Sequence, residues 1–141
     1  MGNYKGPLDR LLAKTRRVDS GCLEFTGARS SQGYGFVRIN GKNLYAHRVS
    51  YQLQVGPIPD GMVIDHLCRN TSCVEPTHLE SVTPQENTLR GVSIQANNAR
   101  KTHCLRGHPF EGDNLRIDTT GRRICRTCKR ETQRRLRSRN G

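Results

Sequence analysis

The segment IDHLCRNTSCVEPTHLESVTPQEN, from Ile64 to Asn87, decides the fold because it concentrates side chains that bind metals or move protons. Two cysteines, two histidines, an aspartate and a final asparagine stand out, at Cys68, Cys73, His66, His78, Asp65 and Asn87. Thiolate and imidazole groups suit zinc, whereas carboxylate and amide oxygens suit magnesium or manganese. These residues could bind one metal, form a catalytic site, or serve both purposes on one interleaved segment.

The composition indicates a small domain that needs extra restraints. Only 33% of the 141 residues are hydrophobic, with 14 Gly and no Trp, and so small a core usually needs disulfides or metals. No apolar run reaches the roughly 18 residues of a membrane-spanning helix, and the opening MGNYKGPLDRLL lacks the apolar stretch of a secretory signal. We therefore expect a cytoplasmic protein with no membrane partner, in which clustered cysteines bind metal rather than pair as disulfides.

Positive charge is concentrated in the second part of the chain. Residues 1–88 hold 10 Lys/Arg and 8 Asp/Glu, a balance of +2, and residues 89–141 hold 14 and 4, a balance of +10, which together give +12. The asymmetry favours a polyanionic partner, most commonly nucleic acid, over a merely solubilising tail.

The hydrophobic pattern mixes helical and strand periods, which predicts an α+β fold. The spacing of Leu8, Leu11 and Leu12 fits a short helix that begins near Pro7, and Asn40-Gly41 is a hairpin signal. Helices are predicted within Gly6–Arg17, Ala46–Val55 and Pro84–Gly91, and strands within Cys22–Gly27, Gly33–Asn40, Lys42–Arg48, Met62–Leu67 and Leu79–Thr83.

Near the C-terminus, three cysteines and a histidine have the spacing of a zinc ribbon. Cys104 and His108 are separated by three residues, and Cys125 and Cys128 by two, so each pair can sit on a tight turn of a tetrahedral site. The surrounding segment has few apolar residues, and metal binding would supply its folding energy. Four protein ligands leave no open position, so this site is predicted to be structural, with His103 as the reserve ligand.

Cys68, Cys73 and His78 form a compact loop with two spacings of four residues, and this loop needs a fourth ligand from elsewhere. Cys22 is the one cysteine that remains. It is either that ligand or a small buried side chain on its predicted strand, and spacing alone does not decide between the two.

The motif DHLCRNTSCVEPTHLESVTPQEN resembles the HNH endonucleases of the ββα-metal, or His-Me finger, superfamily, especially phage-type members. Its Cys/His spacing is also similar to that of the His-Cys box homing endonucleases. The resemblance covers Gly21 to Gly91, and more loosely the CLRGH and CRTC motifs. It implies a small ββα-metal nuclease core with structural zinc, followed by a zinc-ribbon-like module and a basic tail. The implied division is an N-terminal helical segment at 1–20, the nuclease domain at 21–91, a linker at 92–102, the zinc module at 103–130 and a helical or disordered tail at 131–141.

The resemblance also implies roles for individual residues. His66 matches the general base, and Asp65 and Asn87 match the ligands of one catalytic Mg²⁺ or Mn²⁺. A structural zinc site matches Cys68, Cys73 and His78, completed by Cys22, while a competing assignment puts His78 on the catalytic metal. With the C-terminal site at Cys104, His108, Cys125 and Cys128, two structural Zn²⁺ are expected in all.

One residue departs from the family pattern, because Glu75 in CVEP replaces the asparagine that braces the loop in the family. An ionised glutamate accepts hydrogen bonds but cannot donate them. The principal hypothesis is a metal-dependent DNA endonuclease, phage- or intron-encoded, in which His66 activates water. The alternative, prompted by Glu75, is a zinc-stabilised nucleic-acid-binding protein whose nuclease centre has decayed.

DNA contacts are expected from basic residues along the chain. The two strands around Asn40-Gly41 could enter a groove of DNA as a ribbon. Candidate contacts are Arg38, Lys42, His47, Arg48, Arg122, Arg123 and Arg126. The sequence leaves open a monomer or a homodimer, the recognition sequence, and cleavage of one strand or both.

Overall fold

The computed structural model describes residues 6–139, so parts of the segments predicted at 1–20 and 131–141 lie outside the described residues. The chain forms two compact units that divide between Asn87 and Thr88. The helices are α1 (Pro7–Leu12), α2 (Ala46–Gln54), α3 (Pro84–Arg90), α4 (Ile94–Arg100) and α5 (Arg126–Arg139). The strands are β1 (Thr15–Arg17), β2 (Leu23–Phe25), β3 (Phe36–Ile39), β4 (Lys42–Tyr45), β5 (Val63–His66), β6 (Leu79–Val82), β7 (Leu115–Ile117) and β8 (Arg123–Cys125). Short 3-10 turns lie at Pro76–His78 and Gly112–Asn114. The predicted α+β class is confirmed.

The first helix is shorter than the sequence pattern suggests. α1 begins at Pro7 as predicted but ends at Leu12, and the following residues Thr15–Arg17 form β1, which pairs antiparallel with β2. Ladder hydrogen bonds to β2 outweigh the local helical spacing here, which illustrates how tertiary pairing overrides propensity.

β3 and β4 form the predicted hairpin. Asn40 and Gly41 both have positive φ, 48° and 78°, which is the geometry of a type I′ turn that matches the twist of the strands. Phe36 pairs with Tyr45 at the open end, where α2 begins directly at Ala46.

The core of the first unit lies between α1, β2, β3 and α2. Its buried side chains are Leu11, Phe25, Val37, Ala46, Val49 and Val74. Gly35 is required beside this cluster, because a Cβ there would overlap the Phe25 ring. Ser50 on α2 donates its hydroxyl hydrogen to the carbonyl of Val74, and this bond fixes α2 against the loop that follows β5.

The second unit is built on the β7–β8 hairpin and α5. Residues 92–102, predicted as a linker, contain α4, whose N-cap Ser93 accepts a hydrogen bond from the Ala96 N–H at 3.1 Å. Arg123 donates to the carbonyls of Lys101, at 2.8 Å, and Asn98, which fastens the end of α4 to β8. The tail, predicted as a helix or as disordered, is helical through Arg139. None of the helices within residues 6–139 is both long and apolar enough to cross a bilayer.

Candidate active site

The deciding segment folds as a strand–loop–strand–helix motif. It consists of β5, the loop at residues 67–78 that carries Cys68 and Cys73 (the cysteine loop), β6 and α3. β5 pairs antiparallel with β6, with Val63 opposite Val82 and His66 opposite Leu79. The loop therefore leaves β5 immediately after His66 and re-enters the ladder at Leu79. All residues of the deciding segment lie on this one unit.

A capping box sets the start of α3. The Glu86 N–H donates to Thr83 Oγ1 at 3.2 Å, and the Thr83 N–H donates back to Glu86 Oε2 at 3.0 Å, which is the reciprocal arrangement of a T-x-x-E sequence. Asn87, the predicted metal ligand, follows at once in the first turns of α3 and is half-buried. The cap thus determines where α3 begins and in which part of the helix Asn87 lies.

Cys22 reaches the cysteine loop because β2 pairs with the loop as well as with β1. The Phe25 N–H donates to the Ser72 carbonyl at 2.9 Å, and the Val74 N–H donates to the Leu23 carbonyl at 2.8 Å. The ligand atoms of Cys22, Cys68, Cys73 and His78 consequently lie within 4.8 Å of one another. Sequence spacing could not choose between a ligand and a buried hydrophobe for Cys22, whereas this register places its sulfur in the cluster.

The first cluster has dimensions that fit a tetrahedral zinc ion. His78 Nδ1 lies 3.7 Å from Cys22 Sγ and 3.6 Å from Cys73 Sγ. Zn–S bonds of about 2.3 Å and Zn–N bonds of about 2.0–2.1 Å at tetrahedral angles require ligand separations of about 3.6–3.8 Å. The place of His78 among three sulfurs favours its assignment to zinc over the catalytic metal.

The thiols of this cluster differ in acidity. Burial raises the pKa of Cys73 to about 12. Burial alone would also raise the pKa of Cys22, but hydrogen bonds to Ser20 and to the other cluster side chains lower it to about 7. Zinc ligation requires every cysteine as a thiolate, so metal binding here must be accompanied by proton release.

His66 is held by the backbone of a cluster residue. Its Nε2 lies 3.1 Å from the carbonyl oxygen of Cys73. A carbonyl only accepts hydrogen bonds, so Nε2 carries the ring proton and Nδ1 of the neutral ring is left as a proton acceptor. The side chain is 6% exposed, and burial lowers the pKa of His66, against opposing effects of the Cys73 carbonyl and Asp65. The neutral form therefore prevails at pH 7.

His47 lies in the interior beside His66. Their ring centroids are 4.8 Å apart, and Tyr34 contacts both rings, with centroids 5.3 Å from His47 and 5.9 Å from His66. His47 is 7% exposed, and no hydrogen-bond partner reaches its buried Nδ1 within the part of the chain that the structure describes. Burial, then His66 and Arg48, lower the pKa of His47 to about 3. The rings of Tyr34 and His47 thus pack against His66 and contribute to the burial that favours its neutral form.

Asp65 lies next to His66 and forms an ion pair with Arg69. Arg69 Nη1 is 2.9 Å from Asp65 Oδ1, and the Asp65 side chain is only 4% exposed. Arg69 has a φ of 60° and donates its backbone N–H to the His66 carbonyl at 3.0 Å. This turn directly after β5 brings the Arg69 guanidinium back to Asp65.

Glu75, which replaces the family asparagine, braces the loop by an ion pair. Arg17 Nη2 donates to Glu75 Oε2 at 2.8 Å, and Thr77 Oγ1 donates to Oε1 at 3.2 Å. Burial favours the protonated acid, but Arg17 and Thr77 together hold the pKa of Glu75 below its ordinary value. The loop is thus tied to β1 by a contact that spans 58 residues.

Breaking this brace should weaken the first unit. We expect a double-mutant cycle between Arg17→Gln and Glu75→Gln to give a coupling free energy of about 1 kcal/mol, because the pair is a short contact but Arg17 is largely exposed. Denaturant unfolding monitored by circular dichroism measures it. Arg16, the neighbouring residue on β1, is the matched control, and Arg16→Gln should show no coupling to Glu75→Gln. Equal coupling for both arginines would contradict the assignment.

The ligand separations of the second cluster, Cys104, His108, Cys125 and Cys128, also fit a tetrahedral zinc ion. His108 Nδ1 lies 3.5 Å from Cys104 Sγ, 3.7 Å from Cys125 Sγ and 3.3 Å from Cys128 Sγ. The other ring nitrogen of His108 lies 3.7 Å from Glu131 Oε1, the carboxylate–histidine arrangement that often supports a zinc ligand.

Asn114 also braces the second cluster, since its Oδ1 accepts hydrogen bonds from the N–H and hydroxyl of Thr127 at 2.9 and 2.8 Å. His103, the reserve ligand, is not in the cluster and is exposed. The roles of Asn114, Glu131, Arg69 and Tyr34 carried no sequence signal.

The predicted DNA contacts lie in different settings. Arg38, Lys42 and Arg126 are exposed, Arg48 is half-buried and His47 is buried. Arg122 lies 3.8 Å from Asp118, and Arg123 places its guanidinium 4.6 Å from the centre of the Phe110 ring while binding the end of α4.

The strand–loop–strand–helix arrangement, with a histidine at the end of its first strand, is the arrangement that the resemblance to the ββα-metal nucleases implies. Residues 44–89 match the family model of the HNH endonucleases. The matched stretch, about a third of the chain, includes His66 and three of the four residues in the first cluster.

Similar proteins come from phages. Protein 7.7 of Escherichia phage T7 is 42% identical over 67 residues, which cover 48% of this chain and 52% of that protein. Protein 2.8 of the same phage is 37% identical over 87 residues, covering 60% and 59%, and the uncharacterized gene 5.3 protein of Enterobacteria phage T3 is 28% identical over 81 residues, covering 52% and 80%. The chain thus spans just over half the length of the two T7 proteins. No solved structure matches it.

Proposed function

We propose that this chain is a metal-dependent DNA endonuclease that hydrolyses phosphodiester bonds, with His66 as the general base. The observation that carries the proposal is the hydrogen bond from His66 Nε2 to the Cys73 carbonyl. It fixes the tautomer whose Nδ1 can accept a proton from water. The HNH family match supports hydrolysis of a nucleic acid as the reaction.

The catalytic ligands are Asp65 and Asn87. Their carboxylate and amide oxygens are the kind that Mg²⁺ or Mn²⁺ prefers, and two protein ligands leave room for water and phosphate. A bound divalent ion would supply stabilisation of the charge that develops on the phosphate and the leaving oxygen. Asp65 is now paired with Arg69, so a divalent cation must compete with a half-exposed guanidinium. Once released, Arg69 is placed to bind a DNA phosphate, since guanidinium suits phosphate geometry.

The structural metals are two zinc ions, one in each Cys3His cluster. The first stabilises the loop that positions His66, since Cys73 contributes both a sulfur to the cluster and a carbonyl to the base. The β3–β4 hairpin carries Arg38 and Lys42 on exposed positions, and two-stranded ribbons fit the major groove of DNA. The phage relatives fit an enzyme that acts on DNA in the cytoplasm of a bacterial cell.

A plasmid assay tests the proposal. We expect the purified protein to convert supercoiled DNA to nicked or linear forms with Mg²⁺ or Mn²⁺ and to show no cleavage when both ions are omitted, with the zinc content measured in the same samples. Mapping the ends would show one-strand or two-strand cleavage. The alternative, a binding protein with a decayed centre, predicts retention of DNA without cutting under any divalent ion.

A further inference from the structure

Five of the seven basic residues of helix α5 lie on one face. The helix has 14 residues, Arg126–Arg139, and at 3.6 residues per turn the side chains spaced by three and four residues share a side. The basic residues of that side, all exposed, are Arg126, Lys129, Arg130, Arg134 and Arg137. We name this set the basic face of α5.

The opposite side of α5 is occupied by contacts to its own zinc module. Cys128 belongs to the metal cluster, and Thr127 binds Asn114. Glu131, the sole acidic residue of the helix, lies 3.0 Å from Arg106 and 3.7 Å from His108. The basic face is therefore directed away from the module that holds the helix.

Three other arginines of this unit already have partners, unlike the members of the basic face. Arg106 pairs with Glu131, Arg122 lies near Asp118, and Arg123 binds backbone carbonyls. Across residues 6–139, no acidic side chain forms an ion pair with a member of the basic face. Unpaired like charges in a row repel one another, and a polyanion relieves that repulsion.

We propose that the basic face of α5 is a phosphate-binding anchor for duplex DNA, separate from the nuclease centre. The choice of DNA as partner rests on the proposed function. A helix of this length extends about 21 Å at 1.5 Å per residue, and an α-helix fits the major groove, where phosphates line both edges. Cys128 lies in the first turn, so zinc in the second cluster sets the direction in which the helix leaves the module.

The anchor predicts a position-specific salt dependence. The test uses the full chain carrying His66→Ala, to prevent cutting, and measures binding to a fluorescent DNA duplex across a salt series. Each lost phosphate contact lowers the slope of log K against log salt by about 0.9. The triple variant Arg130→Gln, Arg134→Gln, Arg137→Gln should lower the slope by about 2–3, and near 0.15 M salt it should weaken binding by about 100-fold.

A matched control removes the same charge elsewhere. Arg116→Gln, Arg135→Gln, Arg139→Gln also loses three positive charges, but from exposed positions outside the basic face. Its slope should change by less than about 1, because it loses no phosphate contact. Glutamine preserves helix propensity, and circular dichroism with zinc content confirms that both variants fold. If the first variant fails to fold, Arg126→Gln with Lys129→Gln tests the same face, with a slope loss of up to about 2.

Equal slopes for the two triple variants would overturn the anchor. Tighter binding of an RNA duplex through the same residues would overturn the assignment to DNA. Plasmid cleavage with His66 intact separates this proposal from the nuclease proposal. If the wild type never cuts but the slopes differ, only the nuclease proposal fails. If it cuts and the slopes are equal, only the anchor fails.

Discussion

Replacement of His66 by alanine is expected to slow DNA cleavage by about 100- to 10,000-fold, the usual contribution of a positioned general base. The ring is the proton acceptor because Nε2 is committed to the Cys73 carbonyl, and alanine leaves nothing to replace Nδ1. A plasmid-cleavage time course in Mg²⁺ measures the loss. DNA affinity should remain close to that of the wild type, since His66 is buried and contributes little to phosphate binding.

His103 offers the matched control for this substitution. It is an exposed histidine outside both clusters, and His103→Ala should leave the cleavage rate unchanged. Because burial lowers the pKa of His66, wild-type cleavage should persist as the pH falls toward 6, where an exposed histidine would be largely protonated. Cleavage by His66→Ala at close to the wild-type rate would remove His66 from the mechanism.

The sequence was a good guide wherever the chemistry is local. The ligand spacings of Cys68, Cys73 and His78 and the helix predicted within Pro84–Gly91 are short-range features, and the structure displays both. Asn40-Gly41 likewise determines its own turn, since both residues adopt positive φ. In each case the physical constraint acts within a few residues, so a one-dimensional pattern contains it.

Contacts that depend on distant pairing could not be predicted in this way. Arg17 and Glu75 meet only because β1 pairs with β2 and β2 pairs with the loop. His47 was expected at the DNA surface, but α2 carries it into the interior against His66. Glu75, whose replacement of the family asparagine suggested a weakened loop, forms an ion pair with Arg17 on β1.

The proposed zinc site and the proposed general base share one residue, Cys73. Its sulfur lies 3.6 Å from His78 Nδ1 and its carbonyl accepts the hydrogen bond from His66. A change in the first cluster should therefore reach His66 through the backbone of this residue. Tyr34 and His47 restrain the ring from the other side, so the imidazole is positioned by the zinc loop and α2 together.

Substitution of Cys73 by serine is expected to abolish cleavage and to destabilise the first unit severely. Serine keeps the backbone carbonyl and nearly the same size but is a poor zinc ligand, so any loss is due to the metal site. Zinc binding in small zinc-finger domains is worth about 10–16 kcal/mol, which is comparable to the whole stability of a typical domain, about 5–15 kcal/mol. Metal analysis should fall from two zinc ions per chain to one, and thermal unfolding should lose its cooperative transition for residues 6–87.

Cys128→Ser is the matched control, because it removes the second zinc and leaves the contacts of His66 unchanged. We expect this variant to retain cleavage at low salt, where electrostatic binding is strongest, and to bind DNA more weakly as salt increases. The two serines thus separate a zinc that positions the base from a zinc that orients the basic face of α5. Loss of cleavage at low salt in Cys128→Ser, or wild-type cleavage in Cys73→Ser, would contradict the assignment of the first cluster to positioning His66 and of the second to orienting the basic face of α5.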